Sequence, residues 1–256
     1  MKTSFLFTLC AFVLLAFTGC ETDRITPQQA TRHRDVTPLT ASKKQSNEAE
    51  ILSIAAAQPI TPVEGPDWRT LFDGKSMAGW RITEFDEGGK VALTNGLLVL
   101  TKGQPFVGVN YTNQTPKVNY EVTLEAMRVS GYDFFCGLTF PLQDTFFSLI
   151  VGGWGGSLVG LSNLDGSDAS ENETTQFVNF DNGKWYRIRL RVTERKIQAW
   201  IEQKEVVDVL TTGRKIELRF GEIEMSKPFG LSAWSTSAAY RQIKIRNVTG
   251  PEETRK

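Results

Sequence analysis

Histidine is almost missing from this chain: the single one among 256 residues, His33, stands in a polar N-terminal stretch. A His-based catalytic triad or a multi-histidine zinc site therefore cannot form in a folded part further along. Acid–base chemistry falls to Asp, Glu, Lys or Tyr. Cysteine is scarce as well, with only Cys10, Cys20 and Cys136. Neither charge sign is in surplus, since 29 Lys and Arg face 29 Asp and Glu. Polyanion binding needs a basic excess, so nucleic acid is not an expected partner. GxGxxG and phosphate-loop spacings are both lacking, which leaves a nucleotide cofactor without support. No apolar run reaches the roughly 20 residues that span a bilayer. What remains, 40% hydrophobic and 23% charged, is an ordinary globular composition.

The first twenty residues read as an address. Lys2 precedes an apolar run from Phe5 to Phe17, and the stretch ends Thr18-Gly19-Cys20. A basic start, a short apolar core and small terminal residues describe a secretory signal. Thr-Gly-Cys resembles the end of a bacterial lipobox, which makes Cys20 a candidate for lipidation and the bilayer a partner through that anchor; Phe17 departs from the usual Leu. The alternative is an ordinary cleaved signal with Cys20 incidental. Either way the expected location is outside the cytoplasm, at a bacterial cell envelope. With Cys10 and Cys20 so disposed, Cys136 has no disulfide partner, and its Phe-Phe-Cys-Gly-Leu setting reads as a buried, inert thiol.

Residues 21–66 are rich in Thr, Gln, Ser, Glu and Pro, a composition that reads as a flexible tether with at most a short helix over 48–57. From 67 to 250 the pattern turns to period two. Tyr120, Val122, Leu124 and Ala126 alternate with Glu121, Thr123 and Glu125; Tyr186, Ile188, Leu190 and Val192 alternate with Arg187, Arg189 and Arg191. Ile197, Ala199 and Ile201 form a third such row, and Asn95-Gly96, Asp165-Gly166 and Asp181-Asn182-Gly183 supply turns. Many one-faced strands without an amphipathic helix predict an all-β fold, a two-sheet antiparallel jelly-roll sandwich. Residues 251–256 are a tail.

Trp68-Arg-Thr-Leu-Phe-Asp-Gly-Lys-Ser-Met-Ala-Gly-Trp80 resembles the opening signature of the 3-keto-disaccharide hydrolase family. Asn182–Arg191 with Ile197–Glu202 is similar to that family's late hairpin, and Phe229–Trp234 with Tyr240–Ile245 to its closing strands. The resemblance implies a concanavalin A-like jelly roll with a sheet that receives sugar, and cleavage of 3-keto-glycosides. The ketone at C3 acidifies the C2 proton, a base removes it, the glycosidic oxygen leaves and water adds. The chain departs from the family pattern at Ser232 and Trp234, where Gln and His are usual. It departs again over Cys136–Pro141, where an Asn-Ser-Gly strand ending in Arg is usual. Those departures favour the alternative, a non-catalytic carbohydrate-binding or cell-surface interaction module; a protein-adhesion surface is a third reading.

Two stretches carry the candidate chemistry. Gly152, Gly153, Gly155 and Gly156 surround Trp154, whose indole could stack on a pyranose or cap the core. The loop after it holds Asn163, Asp165, Asp168, Glu171, Asn172 and Glu173. It reads as a sugar site, as hard oxygen ligands for calcium, or as a polar loop satisfying its own backbone. Under the family chemistry Glu173 or Glu171 is the expected base, with Asn163 or Asn172 polarising the ketone. Glu125 is a further candidate, although an outward strand Glu is more often just solvated; Trp200 and Trp234 could line a sugar-facing sheet or be partly buried packing. Arg187, Arg189 and Arg191 make a basic stripe, either balanced by neighbouring acids or suited to a carboxylated sugar.

Overall fold

Two antiparallel sheets close on each other in the computed structural model, which describes residues 39–248, with side chains from Asn47 onward. The signal, Cys20, residues 21–38 and the tail lie outside the described residues. The first sheet runs β13 (Lys204–Leu210), β12 (Lys196–Ile201), β11 (Trp185–Val192), β6 (Tyr120–Ser130), β15 (Ser237–Asn247), β4 (Leu97–Leu100) and β3 (Val91–Thr94), with β1 (Arg69–Thr70) on the end of β15. The second runs β10 (Gln176–Phe177), β9 (Leu158–Ser162), β8 (Thr145–Gly153), β7 (Cys136–Leu142), β14 (Gly230–Trp234), β5 (Phe106–Tyr111) and β2 (Trp80–Ile82). This is the jelly-roll sandwich that the alternation predicts. The Asn95-Gly96 turn joins β3 to β4 with both residues at positive φ, the backbone that a two-residue hairpin requires.

The alternating apolar rows meet between the sheets. Val122 and Leu124 of β6, Ile188 and Leu190 of β11 and Ile245 of β15 face Leu138 and Phe140 of β7, Leu149 of β8 and Leu231 of β14 in one core. Two buried tyrosines tie the layers polarly: Tyr120 Oη donates to the Pro141 carbonyl and Tyr240 Oη to that of Phe135, each at 2.6 Å. Removing one hydroxyl strands a buried carbonyl. Tyr240→Phe should therefore lower the unfolding free energy by about 1–3 kcal/mol in a urea titration. Cys136 is fully buried in the same core, and burial pushes its thiol well above the ordinary range. It should resist iodoacetamide at pH 8 in the folded protein and react after unfolding, read by mass spectrometry.

The segment expected to be a tether is in part ordered. A helix, α1 (Leu39–Ala57), extends well beyond the short 48–57 helix of the sequence reading. Ile51, Leu52, Ala55 and Ala56 recur at helical spacing and pack on Leu97 and Val99 of β4, Met127 and Val129 of β6, Trp185 and Ala239. The outer face of the first sheet thus offers an apolar patch that offsets the helix's ordering entropy. Trp185 Nε1 donates to the Ala55 carbonyl at 3.1 Å, and Arg241 donates to those of Ala55, Gln58 and Pro59. These bonds satisfy carbonyls that a helix end leaves open.

Candidate functional site

The strand residues that alternate away from the core on the second sheet are small near its centre. Gly108 of β5, Gly137 of β7, Ser148 of β8, Ser162 of β9 and Ser232 of β14 all fall on that face. Around them Phe85, Phe106, Phe134, Ile150, Leu158 and Ile223 form a separate apolar cluster. A large side chain has no room at the centre: a Cβ on Gly137 would lie 2.6 Å from Ser232 Oγ. Gly108 and Gly137 lie beneath the Phe85 and Phe134 rings, whereas Ser148 and Ser162, with Phe106, Phe134 and Ile150, line a cavity of about 410 Å³ on the outer face. That volume lies in the range of small-molecule sites.

Two indoles flank it, Trp154 and Trp234. Trp154 occupies a left-handed backbone position, φ 47°, with Gly152 two residues before it at φ 80° and Gly155 directly after it at φ 88°. Such a conformation is unfavourable for a bulky residue, and it leaves the indole 43% exposed at the cavity instead of in the core. The Gly155 amide donates to Asp133 Oδ2 at 3.4 Å, linking this loop to the Asp133–Phe134 wall. Trp234 meets Phe106 edge to face, ring centroids 4.6 Å apart.

The remaining wall is a strap, residues 211–221, and a 3₁₀ turn, Glu222–Ser226. The turn is fixed to the sheet by Asn110 Nδ2, which donates to the carbonyls of Met225 and Lys227, both at 2.8 Å. Thr145 Oγ1 donates to the Ile216 carbonyl at 2.8 Å, and the Asn163 amide to that of Glu217 at 2.8 Å. Arg214 bridges Asp165, 2.6 Å from its Nε, and Glu173, 2.7 Å from its Nη1. A hydrogen bond from the Lys215 amide, then Arg214, holds the Asp165 carboxyl below its ordinary value. This clamp should thus persist as the pH falls past about 3.9, the free aspartate value, and loosen only below it. An Asp165 titration followed by NMR reads that order.

Arg219 and Glu222 bring charge to the cavity. Arg219 Nη1 lies 2.5 Å from Asp168 Oδ2, while Asp168 Oδ1 accepts from Ser162 Oγ at 2.6 Å and from the Ala169 amide at 2.7 Å. The Asp168 side chain is only 15% exposed, so it anchors a guanidinium whose other N–H groups stay available. Glu222 lines the cavity with no hydrogen bond or ion pair to its carboxylate among the described residues.

Of the candidates in the sequence, Trp154, Asp168 and Trp234 come together here. The others do not. Glu173 is taken by Arg214, and Glu171 is exposed outside the cavity lining. Asn172 is a loop staple: its Nδ2 donates to the carbonyls of Leu161, Ser167 and Asp168, and its Oδ1 accepts from Thr174. Asn163 is outside the lining, with Oδ1 buried and unpartnered. Glu125 sits on the opposite sheet, 5% exposed, with Arg241 Nε 2.5 Å from its Oε2. The residues after α1 cover it, and the Thr61 amide donates to it at 3.3 Å. Trp200 is also on that sheet, buried beneath the Arg189 guanidinium, 3.8 Å from its ring centroid. Arg189, Arg191 and Arg246 surround the buried Glu121 carboxylate, so the stripe is at least partly balanced. Among the described residues no three His, Cys, Asp or Glu side chains gather closely enough to share a metal ion. In the acidic loop, Asp165, Asp168 and Glu173 meet Arg214 and Arg219 instead.

Arg219, Phe220, Glu222 and Asp133 were not legible as site residues. Lys215 to Phe220 alternates as a strand would, and only the flanking Gly213 and Gly221, both at positive φ, hint at a strap.

The fold recurs among solved structures. A Crh5 transglycosylase in complex with NAG aligns with a TM-score of 0.50 at 12% identity, over 77% of this chain and 91% of that one. The carbohydrate-binding module CBM66 from Bacillus subtilis aligns with a TM-score of 0.43 at 13% identity, over 66% and 96%. The carbohydrate recognition domain of Emp46p gives 0.47 at 14% identity, over 75% and 100%. At such identities the likeness to the transglycosylase is one of fold alone. No curated protein matches the sequence significantly. A family model described as a 3-keto-alpha-glucoside-1,2-lyase-like domain matches residues 67–246, well over half of the chain. Its span takes in both sheets and every wall of the cavity, and the chain belongs to this family of 3-keto-α-glucoside-1,2-lyase-like domains.

Proposed function

We propose that the cavity binds a 3-keto-α-glucoside and cleaves it by elimination across C1 and C2, followed by hydration. The observation that carries this reading is the convergence of Arg219, Asp168 and Glu222 beside Trp154 and Trp234 in one small cavity. The indoles offer apolar faces to a pyranose ring. Arg219, oriented by Asp168, supplies N–H donors to the C3 oxygen, where negative charge develops as the C2 proton is lost. Glu222 takes that proton, because its carboxylate is the one in the lining without a partner. The electron pair forms the C1=C2 bond as the C1–O bond breaks, and the departing oxygen is protonated by solvent. Water then adds across the enone to give 3-keto-glucose.

The test is turnover. Purified protein mixed with a 3-keto-α-glucoside, with and without chelator, should release the aglycone and pass through a species with enone absorbance. A second reading, a non-catalytic sugar-binding module, is favoured by Trp234, which lines the cavity where the resemblance would place a histidine. Saturable quenching of tryptophan fluorescence without any release would favour it. The proposal extends to location: Lys2, the apolar run and Thr18-Gly19-Cys20 support export and lipid attachment at Cys20. Mass spectrometry of the mature N-terminus checks this, and an unlipidated Cys20 contradicts it.

A further inference from the structure

Val122, Leu124 and Ala126 of β6 point between the sheets, and the same alternation puts Arg128 inward at the end of that row. It is 7% exposed, a guanidinium where the pattern calls for an apolar side chain. Packing alone does not account for it, since well-packed apolar residues often replace buried charged groups with no loss of stability. Its donors serve the turn and loop beyond the sheet. Nε donates to Asn182 Oδ1 at 2.7 Å, Nη2 to the Phe180 carbonyl, and Nη1 to the Gly156 carbonyl at 3.1 Å. Gly156 belongs to the loop that carries Trp154, and a Cβ there would lie 2.7 Å from Arg128 Nη1. At Gly152 a Cβ would lie 2.9 Å from the Phe135 ring, whose centroid is 5.8 Å from the Arg128 guanidinium. Arg128 and Phe135 thus form a floor on which this loop rests with no space for side chains. Trp154 supplies none of the restraint. Its indole has no hydrogen bond or ring contact among the described residues, and the Asp133 bond to the Gly155 amide is long, 3.4 Å. The place of the indole is set by its backbone.

We infer that Arg128 is a positioning residue for the cavity: from the first sheet, through the Gly156 carbonyl, it holds the Trp154 indole where a sugar ring meets it. The inference rests on the sugar-binding reading of the cavity. Arg128 is outside the cavity lining, so its effect passes through Trp154. Lysine at this place would keep the charge but not the planar fork that serves three acceptors at once.

In the Glu222→Gln protein, which does not consume the probe, Arg128→Lys should weaken methyl 3-keto-α-glucoside binding at least about fivefold by calorimetry. With Glu222 intact, the same substitution should raise KM and leave kcat within about threefold, because an indole face binds ground and transition states alike. In Trp154→Ala it should cost nothing further, since the indole it acts on is gone. The ligand-free protein gives an independent reading. With fluorotryptophan incorporated, the Trp154 fluorine signal should shift or broaden in Arg128→Lys, while those of Trp80 and Trp200 stay. Arg128→Met, which fills the same place with an apolar chain, should displace the same signal. An unmoved Trp154 signal, an unchanged affinity, an affinity loss that persists in full without the indole, or unfolding of both variants overturns the inference. If the parent protein binds no sugar while the Trp154 signal moves, the sugar reading falls and the positioning of the indole stands.

Discussion

Glu222→Gln should slow aglycone release by at least about 100-fold, the lower end for loss of a positioned general base. The substitution keeps the size and hydrogen-bonding reach of the side chain and removes its ability to accept the C2 proton. Because Glu222 has no partner among the described residues, no ion pair is broken and stability should hold within about 0.5 kcal/mol. The loss should appear in kcat, with KM little changed, since the proton moves only in the transition state. Glu173→Gln is the control. Its carboxylate meets Arg214 outside the cavity lining, so kcat should stay within about twofold. A large loss in Glu173→Gln with none in Glu222→Gln would return the base to the acidic loop.

Arg241→Ala should destabilise the fold by about 3–5 kcal/mol, the range for breaking a buried ion pair from one side. Both Arg241 and Glu125 are 5% exposed. Truncation would leave the Glu125 carboxylate buried with only the Thr61 amide at 3.3 Å. It would also strip donors from the carbonyls at Ala55, Gln58 and Pro59, where α1 ends. The helix should loosen first, visible as faster amide exchange in residues 47–57 before global unfolding. Sugar affinity of the protein that stays folded should be unchanged within about twofold, because the pair lies on the sheet opposite the cavity. A twofold rule broken in either direction would mean that the two sheets are coupled.

The sandwich was readable because its signal is local. On β6, β11 and β12 every second residue is apolar, and those residues are the ones between the sheets. The four glycines around Trp154 left open whether its indole would stack on a ligand or cap the core; the structure leaves it 43% exposed in the cavity lining. Glu125 misled because alternation shows which face a side chain takes and not what covers that face. Here Ile51, Leu52 and Ala55, in a segment of tether-like composition, bring α1 across the outer side of the same sheet. The surroundings of Glu173 were hidden in a different way. Its loop is rich in carboxylates, but their partners Arg214 and Arg219 lie more than forty residues on, at a separation that no pattern in the loop reveals. The strap carrying Arg219, Phe220 and Glu222 is positioned by single contacts, such as Thr145 with the Ile216 carbonyl and Asn110 with the turn carbonyls. Long-range tertiary bonds of this kind leave no periodic trace.

The position of a bound sugar tests the central claim most directly. A crystal structure of the Glu222→Gln protein soaked with a 3-keto-α-glucoside should show the ring between Trp154 and Trp234, its C3 oxygen within hydrogen-bond reach of Arg219. Density for the ring on the other sheet, over Trp200 and Arg189, with the cavity holding only solvent, would contradict it.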